Sequence, residues 1–155
     1  MTELSAGDNA PDFELPRDGG GKLSLTSLRG QKVVLYFYPK DDTSGCTAES
    51  IDFSGLKPDF EKAGAIVLGM SPDSVKSHDK FKTKHKLAVE LVADEERKAL
   101  EAYGVWTEKS MYGRKYMGVE RSTFLIGADG RIARIWRKVK VPGHAAEVLE
   151  AAGAL

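Results

Sequence analysis

Thr43 and Cys46 stand three residues apart in the polar stretch Asp41-Asp42-Thr43-Ser44-Gly45-Cys46, and Cys46 is the only cysteine in the chain. A thiol becomes a good nucleophile only once ionised. The reference pKa is about 8.5, and helix N-termini or nearby cations lower it to roughly 3.5–7.5. Asp41, Asp42, Thr43, Ser44 and Gly45 are helix-start residues, which places Cys46 in the first turn of a helix. Backbone N–H groups there point at the sulfur and favour its anion. Thr43 reaches the same small volume, where its hydroxyl accepts from a substrate O–H while donating to the sulfur or a second oxygen. The constellation lacks a permanent positive charge. A lone cysteine without context is more often a small buried hydrophobe. The polar loop before Cys46 instead predicts a thiol at a surface cleft.

The elements that must position this pair begin just upstream. Val33-Val34-Leu35-Tyr36-Phe37-Tyr38 is short, β-branched and aromatic and does not alternate, so it predicts a buried central strand. Pro39 ends it, because proline cannot donate to a ladder. Cys46 therefore follows the carboxyl end of a strand, where open α/β sheets place chemistry. The helix opening near Gly45 or Cys46 sets Phe53, Leu56 and Phe60 on one apolar face. Pro58 should kink or break it, and Ala63-Gly64 closes it.

Residues 65–70 predict a second buried strand. Ser71 and Pro72 then read as an N-cap and first helical position, with Val75, His78 and Phe81 as the apolar edge of that helix. Leu91-Val92-Ala93 reads as a short strand, and Asp94-Glu95-Glu96 as the acidic start of a helix ending at Tyr103-Gly104. Residues 105–120 have no clean period and read as an ordered loop with short strand pieces. Residues 121–126 and 131–136 flank Gly127-Ala128-Asp129-Gly130 and predict a hairpin. Residues 145–152 form a last amphipathic helix. Near the start, residues 1–12 read as an extended lead-in. Phe13-Glu14-Leu15 and Lys22-Leu23-Ser24-Leu25 flank a Gly-rich turn, an N-terminal β-hairpin. The expected fold is α/β, with a mixed sheet, strand 33–38 at its centre and helices on both faces, in one domain over residues 1–155.

Lys+Arg and Asp+Glu both number 23, so the net charge is zero, which argues against nucleic acid or anionic membrane as partner. No apolar run approaches the roughly 18 residues of a membrane span, and the first eight residues lack signal-peptide character. One cysteine excludes an intramolecular disulfide and a cysteine-based metal site within one chain. The expected compartment is the reducing cytosol. His78, His85 and His144 have no ligand-triad spacing, so no metal is expected, and His78 reads as a helix-edge residue. Trp106, Tyr112, Tyr116 and Met117 read as core packing in preference to a collar around the active site.

Tyr36-Phe37-Tyr38-Pro39-Lys40-Asp41-Asp42-Thr43-Ser44-Gly45-Cys46-Thr47-Ala48-Glu49 closely resembles the active-site segment of peroxiredoxins, nearest the bacterioferritin-comigratory-protein or peroxiredoxin Q subfamily. The likeness continues in Ala10-Pro11-Asp12-Phe13, in Gly69-Met70-Ser71-Pro72-Asp73-Ser74 and through residues 109–126, and covers nearly the whole chain. It implies a thioredoxin-like fold and a thiol-dependent peroxidase acting on hydrogen peroxide and organic hydroperoxides without a cofactor. By position, Cys46 matches the peroxidatic cysteine and Thr43 the threonine that holds the peroxide. Pro39 matches the proline that shields the pocket, and Arg121 the arginine that stabilises thiolate and transition state. Without the likeness, Arg121 would read as an exposed strand-start residue. Gly45 and Glu49 are supporting positions; Glu49 either braces the loop or is a solvated helix residue.

The chain departs from the subfamily at two positions. Many members carry a resolving cysteine five residues after the first, where this chain has Ile51, and Ser44 stands where proline is usual. The resemblance therefore implies a one-cysteine variant. Its Cys46 sulfenic acid is resolved by an external thiol: thioredoxin, glutaredoxin, glutathione, or Cys46 of a second chain. A monomer or weak homodimer is expected. The alternative function is a peroxide-sensing redox protein or oxidation-activated holdase, for which the sequence offers no partner motif. A disulfide reductase is disfavoured, because Thr43 occupies the first position of a would-be Cys-x-x-Cys.

Overall fold

The computed structural model describes residues 3–155. Met1 and Thr2, which open the lead-in read as extended, lie outside them. Elements run in the order β1 (Glu14–Pro16), β2 (Lys22–Ser24), β3 (Lys32–Phe37), α1 (Ser44–Gly55), α2 (Lys57–Lys62), β4 (Ala65–Ser71), α3 (Val75–His85) and β5 (Glu90–Ala93). They continue with α4 (Lys98–Ala102), β6 (Trp106–Met111), β7 (Arg114–Val119), β8 (Ser122–Ile126), β9 (Ile132–Trp136) and α5 (His144–Ala154). The five-stranded sheet has the order β5-β4-β3-β8-β9. β3 is central, parallel to β4 and antiparallel to β8.

Alternation along β3 divides the core. Val33, Leu35 and Phe37 face one side with Leu100, Tyr103 and the β1–β2 hairpin. Val34, Tyr36 and Tyr38 face the other with Phe53 of α1, Phe60 of α2, Phe81 of α3 and Val148 of α5. The sheet is thus buried on both faces, which is why β3 carries no polar alternation. This is the expected mixed α/β architecture with helices on both faces.

Tyr36 fixes α1 against the sheet. Its ring stacks on Phe53 at 4.6 Å, and its hydroxyl lies 2.9 Å from Ser50 Oγ. The ring fits because Gly69 faces it across the β3–β4 pair. A Cβ at Gly69 would come within 2.6 Å of the ring. Pro58 breaks the helix as expected: α1 ends at Gly55, Leu56 leaves helical geometry, and α2 restarts at Lys57 with proline in its first turn.

Four local readings are corrected. Residues 105–120 form a regular hairpin, β6 paired antiparallel with β7 from Trp106↔Val119 to Met111↔Arg114. Its tip Tyr112 has positive φ, a backbone state the periodicity does not encode. β4 extends to Ser71, and the cap of α3 is Ser74, whose side chain accepts from Ser77 N. Asp94 does not open a helix directly. It caps a turn, its Oδ2 accepting from Leu100 N at 2.8 Å, and α4 starts only at Lys98. Tyr112, Tyr116 and Met117 are exposed and do not pack in the core; Trp106 alone of that group packs against it.

Candidate active site

Tyr38 N donates to Met70 O at 3.1 Å, the last rung of the ladder before Pro39. The chain then turns through Lys40–Thr43, with Asp42 in the left-handed region at φ 60°. Thr43 has the extended backbone of an N-cap, and Thr47 N donates to Thr43 O at 2.8 Å to start α1. Cys46 is in the first turn, as expected.

Cys46 is only 1% exposed. The surface cleft expected from the polar loop is therefore replaced by a sulfur facing inward, packed in the cluster that holds Tyr36, Tyr38 and Phe53. Hydrophilicity of a loop says which residues flank the thiol and not which way the thiol points. A groove of about 860 Å3 runs along α3 and does not include Cys46.

The permanent charge missing from the local segment comes from the turn before β8. Arg121 Nη2 donates to Cys46 Sγ at 3.3 Å, across a separation of 75 residues. Arg121 Nη1 donates to Glu49 Oε1 at 2.6 Å. One planar guanidinium thus spans the nucleophile and a carboxylate one turn away on the same helix, a fork a lysine ammonium does not supply. Gly45 has room for this: a Cβ there would lie 3.2 Å from Arg121 Nη2. Glu49 is 1% exposed, so it is not a solvated helix residue. Burial works against charge on Arg121, but the facing Glu49 and Cys46 outweigh it and hold the guanidinium above its ordinary range.

Glu49 behaves differently. Burial pushes its carboxyl up to about 7, against the lowering influence of Arg121. Its second oxygen, Oε2, is buried with no hydrogen-bond partner among the described residues. The folded chain therefore favours the protonated acid. Its contribution to stability is full below the ordinary value of 4.5 and is lost as pH rises through about 7. Glu49→Gln fixes the side chain neutral while keeping an oxygen for Arg121 Nη1. Relative to wild type, the variant should gain stability from about pH 5 to about pH 8, by on the order of 2–3 kcal/mol. Urea unfolding at constant ionic strength measures it, and a pH-independent difference would contradict it.

Thr43 is placed differently from expectation. Its hydroxyl donates to Lys40 O at 2.9 Å and not to the sulfur. The donor is used locally, and the lone pairs stay free. Pro39 is half-buried at the end of β3. Lys109 of β6 also feels the site: burial and then the Arg121 charge push its ammonium down.

Comparison with known proteins identifies the family. Residues 6–135 match the AhpC/TSA family. The chain belongs to that family. It is 48% identical over 147 residues to peroxiredoxin Bcp of Bacillus subtilis, covering 95% of this chain and 94% of the relative. Peroxiredoxin Q of Xanthomonas campestris superposes with a TM-score of 0.91 at 48% identity, covering 96% of this chain and 97% of that one. A structure of the bacterioferritin comigratory protein of the same organism, studied for alkyl peroxide reduction through trapped intermediate and ligand complexes, matches with a TM-score of 0.91 at 47% identity and covers 97% and 98%. At this likeness the chain is a Bcp/PrxQ peroxiredoxin, an enzyme that reduces peroxides at the expense of a thiol, and its single cysteine makes it a one-cysteine variant. Among the described residues no helix is long and apolar enough to cross a membrane.

Sequence reasoning missed two residues that bear on the site, Asp41 and His78. Asp41 is buried although it sits in a polar loop, and His78, read as a helix-edge residue, is 0% exposed. The available signal was the spacing of His78 from Phe81 on the apolar edge, which put the imidazole toward the sheet.

Proposed function

We propose that Cys46 is the peroxidatic residue of this peroxiredoxin and that an external thiol recycles it. The supporting observation is the 3.3 Å contact from Arg121 Nη2 to Cys46 Sγ. A guanidinium N–H within reach of sulfur stabilises the sulfur anion that attacks. The thiolate takes the terminal oxygen of the hydroperoxide: an S–O bond forms, the O–O bond breaks, and alkoxide or hydroxide leaves and takes a proton from water. Negative charge moves from sulfur to the leaving oxygen. Donors fixed beforehand stabilise that shift without reorganising, which is where most of the rate comes from. Glu49 holds the guanidinium by its other nitrogen. Thr43, its O–H committed to Lys40, presents lone pairs to the peroxide O–H. Pro39, without an N–H, keeps the strand end from offering a competing donor.

The product is Cys46 sulfenic acid. An incoming thiol displaces water to give a mixed disulfide, and a second thiol releases Cys46 as a thiol and leaves with the first as a disulfide. Because Ile51 replaces a second cysteine, neither sulfur of the incoming pair belongs to this chain. Thioredoxin, glutaredoxin and glutathione fit that role. Cys46 is 1% exposed, so a protein thiol reaches it only after the first turn of α1 moves outward.

Mass spectrometry of the chain after one equivalent of peroxide tests the reading. A single added oxygen on Cys46 is expected without thiols, and a mixed disulfide at Cys46 with glutathione present. Recovery of unmodified Cys46 in the absence of thiols, while peroxide is consumed, would overturn it.

A further inference from the structure

His78 lies 0% exposed among the polar groups that hold the turn before Cys46, and nothing in the peroxidase chemistry above uses it. Its Nε2 is 3.0 Å from Val92 O on β5, an atom that only accepts, so Nε2 carries a hydrogen. Its Nδ1 is 2.8 Å from Asp41 Oδ2. The same oxygen accepts from Ser77 Oγ at 2.8 Å, and Asp41 Oδ1 accepts from Tyr38 OH at 2.6 Å. Asp41 N donates in turn to Asp73 Oδ2 at 2.8 Å. Two hydroxyl donors, Tyr38 OH just past β3 and Ser77 Oγ on α3, thus hold the Asp41 side chain, and the imidazole, packed against the same Oδ2, ties it onward to β5.

What Asp41 holds is the turn that builds the site. Asp42 is forced into left-handed backbone immediately after it. Thr43 hangs by its hydroxyl on Lys40 O, immediately before it. Cys46 follows within one helical turn of Thr43. Among the described residues the hydrogen bond that holds the Thr43 hydroxyl is the one to Lys40 O, so where that hydroxyl sits depends on the backbone that Asp41 anchors.

We propose that His78 and Asp41 are positioning residues for peroxide reduction: the buried pair locks the Lys40–Thr43 turn so that Thr43 and Cys46 meet the peroxide in register. Displacement of a reacting group by about 1 Å through a distant mutation costs on the order of 100-fold. The pair acts on the step that needs Thr43 and Cys46 together, and not on the nucleophilicity of the sulfur, which the Arg121 contact governs.

The experiment compares His78→Phe, His78→Gln, Asp41→Asn and the double variant His78→Phe/Asp41→Asn, each checked for native packing by near-UV circular dichroism. Two stopped-flow rates are read on each: oxidation of Cys46 by hydrogen peroxide, and alkylation of Cys46 by iodoacetamide, which needs the sulfur but no Thr43. His78→Phe and Asp41→Asn should lower the peroxide rate roughly 10- to 100-fold and move the alkylation rate far less. His78→Gln, which keeps one amide N–H, should recover part of the loss. The double variant should be no slower than the slower single, as for two residues acting as one unit. Wild-type peroxide rates in folded variants would overturn the proposal, as would peroxide and alkylation rates that fall by the same factor. The inference rests on Cys46 being the oxidised residue. That reading fails if Cys46 of the wild type stays unmodified, whereas this one fails if Cys46 is modified at an undiminished rate in the variants.

Discussion

Cys46→Ser should abolish peroxide consumption with any thiol as reductant. The variant has no sulfur nucleophile at all, because Cys46 is the only cysteine. A serine hydroxyl at the same place stays protonated, since among the described residues the hydrogen-bond neighbour of this position is a guanidinium N–H and not a base. Loss of the nucleophile in an enzyme whose remaining groups only position and polarise costs on the order of 10^4-fold or more. The fold should survive. Serine is nearly isosteric with cysteine, and its oxygen inherits the Arg121 donor. What is lost is an apolar contact in the cluster with Tyr36 and Phe53, about 1 kcal/mol, or roughly 2–4 °C in Tm for a chain of this size. Coupled NADPH oxidation with thioredoxin and its reductase, and direct peroxide assay with glutathione, check the rate. Full activity in the folded variant would remove Cys46 from the chemistry.

The sheet and the helix that carries Cys46 were legible because they rest on strong local signals. An unbroken apolar run of β-branched and aromatic residues ending in proline leaves little but a central strand. A cluster of Asp, Thr, Ser and Gly before a 3.6-residue period leaves little but a helix start. Three features were hidden for stated reasons. The inward turn of the Cys46 side chain depends on Arg121 and Glu49, and a contact spanning 75 residues has no local trace. Resemblance supplied Arg121; neither charge nor spacing did. The β6–β7 hairpin lacks alternation because it is exposed on both faces for much of its length, with Met111, Tyr116 and Met117 open to solvent. Burial, which writes the period-2 pattern into a strand, is absent there. The Asp41–His78 pair inverts the usual rule that acidic loop residues face water. An acid in a loop is buried only when donors wait for it, and here they are Tyr38 OH, just past β3, and Ser77 Oγ on α3.

Arg121→Ala is the second large effect, and it separates chemistry from stability. Among the described residues the guanidinium is the donor that touches Cys46 Sγ. Removing a single preorganised donor from a developing charge typically costs 10^2–10^3-fold, about 2.7–4 kcal/mol of barrier. The rate of Cys46 oxidation by hydrogen peroxide, followed by stopped-flow fluorescence, should fall by roughly that factor. Arg121→Lys should recover only part of it, since an ammonium cannot reach Glu49 and Cys46 in one plane. The stability cost should be smaller than for an ordinary broken ion pair. Leaving a buried carboxylate alone commonly costs about 3–5 kcal/mol. Here burial already raises Glu49 to about 7 with Arg121 in place. Without the lowering effect of the guanidinium the acid is held protonated, and a neutral acid is far cheaper to bury than an anion. Glu49→Gln/Arg121→Ala should therefore be about as stable as Arg121→Ala alone near pH 7, while both remain slow. A peroxide rate that returned in the double variant would mean that the uncompensated Glu49, and not the missing donor, had slowed the single one.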